Sequence, residues 1–94
     1  MGVLSSEQLD TAVESLDEGW AVRDGALRKE YRFADFAAAM FFANRIAAAA
    51  EEAEHHPDMM VGWGRVELAW ASHDVGGISD RDIEMARSSD RLAS

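Results

Sequence analysis

From Ala34 to Glu54 the chain is rich in alanine and contains no glycine, proline or leucine, which is the composition of one long helix. Its apolar side chains do not keep to a single stripe. Phe36, Met40, Ala43 and Ala47 share one face at helical spacing, and Ala39, Phe42, Ile46 and Ala49 make a second beside it. Because successive residues turn by about 100°, Phe36, Met40, Phe41 and Phe42 cannot all point into one core. A helix apolar on two faces needs a second neighbour, and its small alanines permit close approach of a helix from a partner subunit. The 94 residues make a single domain over 1–94, a size at which association is a natural way to complete the core.

Punctuation on either side of this helix gives the remaining elements. Ser5-Ser6-Glu7-Gln8 reads as a capping box, opening a short helix that runs to Leu16 or Asp17 and carries Leu9, Val13 and Leu16 at helical spacing. Gly19 breaks it. Trp20-Ala21-Val22 then leads through the turn Asp24-Gly25 into Ala26–Phe33, where Leu27, Tyr31 and Phe33 share one parity and Lys29 is the exception. After the long helix, Pro57 disfavours the helical conformation for His56, so the helix ends near His55 and the chain continues extended. Met59–Trp63 reads as a strand weakened by Gly62 and Gly64. Arg65–Ser72 reads as a clearer one, with Val66, Leu68 and Trp70 on one face. Gly76-Gly77 turns, and Ser79-Asp80-Arg81-Asp82 caps a last helix bearing Ile83, Ala86 and Leu92. The predicted order is α-β-β-α-β-β-α, an α+β domain with helices on one face of a four-stranded antiparallel sheet.

Charge and composition narrow the function. Eighteen acidic against nine basic side chains give a net charge of −9, which repels phosphate backbones and argues against nucleic-acid binding. Cysteine is absent, so neither disulfides nor thiolate chemistry are available. The start, Met1–Glu7, lacks the basic and long apolar regions of a secretory signal. The longest apolar run, Phe36–Ala43, is far below the roughly 20 residues that span a bilayer. The expectation is a cytoplasmic protein with no membrane association.

All three histidines lie in two short segments, Glu51-Glu52-Ala53-Glu54-His55-His56-Pro57 and His73-Asp74-Val75-Gly76-Gly77. Histidine gives and takes protons near neutrality, which makes acid–base work the first chemistry to consider. Each residue has an ordinary structural explanation as well. His55 suits a helix C-terminus with Glu51 as a helix neighbour, His56 a surface position before proline, and His73 a strand end paired with Asp74. Asp82 serves as a helix cap and Arg81 as a solvated charge, while Trp20, Trp63 and Trp70 serve as core aromatics. Adjacent side chains in an extended segment point oppositely, so one of His55 and His56 at most joins His73 directly, unless the helix end turns the first. Zinc is a further reading, with Glu51, Glu54 and Asp74 beside the histidines. No His-Glu-x-x-His spacing is present to support it, and the expectation is no metal site.

Glu51 stands four residues before His55, Trp63 six after Pro57, His73 ten later and Asp82 nine later still. This pattern resembles the pterin-4a-carbinolamine dehydratases, and the resemblance extends from Leu4-Ser5-Ser6-Glu7-Gln8-Leu9 through Trp20 and Tyr31-Arg32-Phe33 to Asp82-Ile83. Departures are Met59, where members usually carry tryptophan or phenylalanine, and Gly62 and Gly64, which flank Trp63 where asparagine is common. The resemblance implies a 4a-hydroxytetrahydrobiopterin dehydratase, a hydro-lyase that recycles tetrahydrobiopterin with no metal or organic cofactor. It implies His55, His56 and His73 as catalytic residues, with Glu51 orienting His55, and with Glu51, Trp20 and Asp74 on the pterin substrate. It also implies a homodimer or homotetramer. Relatives of this fold that act as dimerisation or assembly factors supply the alternative, a non-catalytic oligomeric partner.

Overall fold

The computed structural model describes residues 2–94. In chain order the elements are α1 (Ser6–Glu14), β1 (Ala21–Arg23), β2 (Ala26–Arg32), α2 (Phe36–Ala53), β3 (Asp58–Gly62), β4 (Arg65–Trp70) and α3 (Asp80–Ala93). The strands form one antiparallel sheet in the order β1-β2-β4-β3. The predicted element order and fold class are therefore observed.

Local chemistry accounts for where each element begins and ends. The capping box at Ser5 and Gln8 forms, but α1 stops before Leu16 because Ser15 Oγ donates to the Ala12 carbonyl at 2.6 Å and Leu16 N–H reaches Val13 at 3.0 Å in a tightened last turn. Asp24 and Gly25 both adopt positive φ, 52° and 74°, which suits the two-residue turn joining β1 to β2. Helix α2 starts at Phe36 because Asp35 takes the cap, its carboxylate accepting from Ala38 N–H at 2.8 Å. It ends at Ala53, where Glu54 takes a left-handed conformation with φ 53°, a conformation disfavoured by about 1–2 kcal/mol for a non-glycine residue. Strand β3 is shifted one residue from the expected Met59–Trp63, since Trp63 and Gly64 make the turn to β4. Phe33 N–H donates to the Gly64 carbonyl at 2.8 Å, and a Cβ at Gly64 would sit 3.0 Å from the Phe33 carbonyl.

The core lies between the sheet and the helices. Leu27, Tyr31, Val66, Leu68 and Trp70 face Ala39, Phe42, Ala43, Ile46 and Ala50 of α2 and Ile83, Met85 and Ala86 of α3. The alternation expected of β4 is thus observed, and Trp70 is a core residue with no exposed surface. Trp63 is not. At 74% exposure it corrects the expectation of a core aromatic, because its place in the turn carries it off the packed face. Of the stripe Phe36, Met40, Ala43 and Ala47, Ala43 joins the core and Met40 and Ala47 are half-buried, while Phe36 at 49% and Phe41 at 66% are exposed. None of the described helices is long and apolar enough to cross a membrane.

Lys29, the exception on the inward face of β2, has an internal partner. Its ammonium lies 2.7 Å from Asp90 Oδ1 on α3, and Tyr31 Oη and Trp20 Nε1 donate to the same carboxylate at 2.5 and 2.9 Å. Burial alone would raise the Asp90 carboxyl, but the hydrogen bonds from Lys29, Tyr31 and Trp20, with the Lys29 charge, hold it below the ordinary aspartate value of 3.8. Burial, reinforced by Asp90, pushes the Tyr31 phenol well above its ordinary range. A carboxylate with a lowered folded value stabilises the fold fully above its unfolded value and loses that contribution as pH falls through the folded one. Asp90→Asn is therefore expected to cost about 2–4 kcal/mol at neutral pH. The difference from wild type should shrink as pH falls below 3.8, read by urea denaturation across pH.

Candidate active site

Three chain segments meet at one end of the core: the exit from α2, the turn after β4 and the start of α3. The left-handed Glu54 closes α2, with its N–H and that of His55 both directed at the last turn, His55 to Ala50 at 3.1 Å. This bend turns His55 inward, away from the Glu51 side of the helix. Its ring stacks on Trp70 with centroids 5.8 Å apart, and it is 8% exposed.

Inside, His55 Nε2 meets Asp82 Oδ1 at 2.5 Å. Asp82 has no exposed surface, and its other oxygen accepts from Ser72 Oγ at 2.7 Å and from Ser79 N–H at 2.9 Å. Ser72 and Ser79 also share a hydroxyl contact of 2.7 Å. No buried side-chain nitrogen or oxygen among the described residues lacks a partner, so the network is of the satisfied kind that fixes a single geometry. With Nε2 donating to a carboxylate, Nδ1 is the ring atom left to accept a proton.

A cleft of about 380 Å³ opens beside this network and is lined by His55, His56, His73, Ala71, Asp74 and Arg81, with Glu54 at its edge. Ala71 and His73 also border a second hollow of about 310 Å³ on the sheet side, flanked by Arg28 and Asp58. His56 is exposed and its Nε2 lies 2.5 Å from Glu51 Oε2; both side chains are mostly in solvent, so the pair contributes little to stability. His73 is exposed in the turn that Ser72 and Gly77 close by mutual backbone hydrogen bonds. The cleft thus brings together three imidazoles from two segments, one buried against Asp82 and two exposed.

Several expectations change. Glu51 pairs with His56 and does not orient His55, because the left-handed Glu54 rotates His55 off the stripe that Asn44, Ala48 and Glu51 share. Asp74 faces Arg81, at 3.8 Å, and is not the partner of His73. Trp20 lines neither hollow. It is 7% exposed, and its buried indole N–H finds its acceptor in Asp90. Among the described residues no three histidine or carboxylate side chains are grouped to hold a metal ion. Asp82 does complete the cap at Ser79, as read from the sequence, but it also holds His55. The signal available was a carboxylate placed between Ile78 and Ile83, inside an apolar face where a solvated aspartate does not belong. Arg81, read as a solvated charge, contacts both sides of the cleft.

The chain matches the sequence profile of the pterin 4 alpha carbinolamine dehydratase family over residues 2–92. A protein of Koribacter versatilis, provisionally named a pterin-4-alpha-carbinolamine dehydratase, is 48% identical over 88% of this chain and 87% of its own. The crystal structure of a transcriptional coactivator/pterin dehydratase from Brucella melitensis superposes with a TM-score of 0.93 at 30% identity, covering 99% of this chain and 100% of that one. A pterin dehydratase-like RuBisCO assembly factor of the alpha-carboxysome superposes at 0.66 with 22% identity, over 80% of this chain and 87% of its own, and shares the fold. With the profile spanning nearly every residue and the histidine cleft formed, the chain belongs to the pterin-4a-carbinolamine dehydratase family.

Proposed function

We propose that this chain catalyses the dehydration of a 4a-hydroxytetrahydropterin to the quinonoid dihydropterin, using histidine acid–base catalysis in the recycling of tetrahydrobiopterin. The observation that carries the reading is the cleft itself, in which His55, held through Nε2 by the buried Asp82, shares a wall with His56 and His73. The reaction breaks the C4a–O bond and removes the proton on N5, giving a C4a=N5 double bond and water. His55 delivers its Nδ1 proton to the departing hydroxyl while the N5 lone pair forms the new bond. His73 takes the N5 proton, and solvent returns it to His55 for the next turnover. His56, steadied by Glu51, positions the pterin, and Asp74 lies at the rim of the same cleft. Each positioned proton transfer is worth about 10²–10⁴-fold, so no metal or organic cofactor enters the scheme.

Replacement of His55 or His73 by alanine is expected to lower kcat by about 10²-fold or more with little change in folding, while His56→Ala shows more of its effect in KM. Turnover of enzymatically generated 4a-hydroxytetrahydropterin is the measurement. Undiminished rates in a protein lacking both His55 and His73 would refute the reading.

The working form is an oligomer, in the cytoplasm. What supports the oligomer is the exposed side of α2, where Phe41, with Phe36 a turn and a half before it, stands in solvent near small alanines, a surface that a two-fold helix pairing would cover in both copies at once. Light scattering at micromolar concentration is expected to give a dimeric or tetrameric mass, which Phe41→Glu lowers to that of a monomer. A monomeric wild-type mass would contradict it.

A further inference from the structure

Arg81 stands where helix electrostatics disfavours it. It occupies the first turn of α3, between Asp80 and Asp82, and a cation there opposes the positive end of the helix dipole. Its guanidinium instead serves other segments. Nη2 donates to the Glu54 carbonyl at 3.1 Å, and Nη1 lies 3.8 Å from Asp74 Oδ2. Helix α2 has no basic residue in its own last turn, so Arg81 brings a positive charge to that end and a donor to the carbonyl of the cap residue Glu54. Glu54 directly precedes His55, and Asp74 directly follows His73. One planar side chain therefore spans the cleft from the residue before one histidine to the residue after the other, and it projects from the position next to Asp82, which holds His55 from within.

From this geometry, and resting on the dehydratase reading above, we propose that Arg81 is a positioning residue that sets the separation between His55 and His73. The Asp74 pair is exposed on both sides, 36% and 68%, and contributes little to stability. Its effect is on geometry. Asp82 and Ser72 fix the base of the turn, but His73 and Asp74 lie beyond that anchor, and Arg81 ties the outer part of the turn to the α2 exit. Lysine carries the charge but not the fork, and a single ammonium cannot replace both contacts. A displacement of about 1 Å in reacting groups can cost about 10²-fold, so a loosened turn should be visible in turnover.

The test compares Arg81→Lys, Arg81→Gln, Asp74→Asn and the double variant Arg81→Gln/Asp74→Asn with wild type, in two measurements. Amide hydrogen exchange at Val75, Gly76 and Gly77, whose N–H groups bond within the turn, should accelerate about 10-fold in both Arg81 variants while sheet amides and Tm stay close to wild type. In the dehydratase assay kcat should fall about 10-fold or more with a smaller change in KM, R81K should fail to restore it, and the double variant should be no worse than R81Q alone. Unchanged exchange in R81K and R81Q overturns the proposal whatever the activity, and so do faster exchange with an unaltered kcat and strictly additive effects of the two sites. Absence of turnover in the wild-type protein contradicts the dehydratase reading alone, and the exchange result then decides whether Arg81 holds the turn.

Discussion

The candidate site depends on one buried carboxylate. Asp82 receives a ring N–H from His55, a hydroxyl from Ser72 and a backbone N–H from Ser79, and these donors come from the exit of α2, the end of β4 and the cap of α3. A carboxylate with no exposed surface is tolerable only when its oxygens are so occupied. Removing any one donor would leave charge uncompensated, so the three segments are held to one arrangement. The same contact that closes the core therefore selects the orientation of His55 and leaves Nδ1 as the ring atom not engaged by Asp82.

A second carboxylate plays the corresponding structural part elsewhere in the sheet. Asp90 gathers Trp20, Lys29 and Tyr31, and in doing so admits a lysine to the inward face of β2. Both acids project from α3, the most polar of the helices in its sequence. The helix contributes to the core through Ile83, Met85 and Ala86 and through two fully engaged carboxylates, of which Asp82 reaches the histidine cleft and Asp90 does not. The exposed histidines, His56 and His73, lie outside both networks, at the open wall of the cleft.

Much of this was legible in the sequence because the signals were local. The capping box at Ser5, the Asp24-Gly25 turn, the alternation of Val66, Leu68 and Trp70, and the break imposed by Pro57 each follow from chemistry within a few residues. The two-faced apolar character of α2 was likewise readable, and Phe41 points outward as the helical period requires. What escaped were the contacts between distant segments. Glu51 and His55 share a helical stripe on paper, but the left-handed Glu54 ends the helix one residue too early for that pairing and gives Glu51 to His56. Asp82, Asp90 and Arg81 look like ordinary polar residues of a terminal helix until tertiary packing brings their partners within reach, and Trp63 looks like a core aromatic until the turn at Gly64 places it in solvent.

The central claim, that Asp82 fixes the tautomer of His55 and leaves Nδ1 to carry the proton, is tested most directly by nitrogen NMR of the histidine rings. In the neutral ring of the wild-type protein, His55 is expected to bear its proton on Nε2, with a bare Nδ1 whose resonance responds when a dihydropterin is added. A His55 ring protonated on Nδ1, or one whose Nδ1 is indifferent to the pterin while the other histidines respond, would contradict the account.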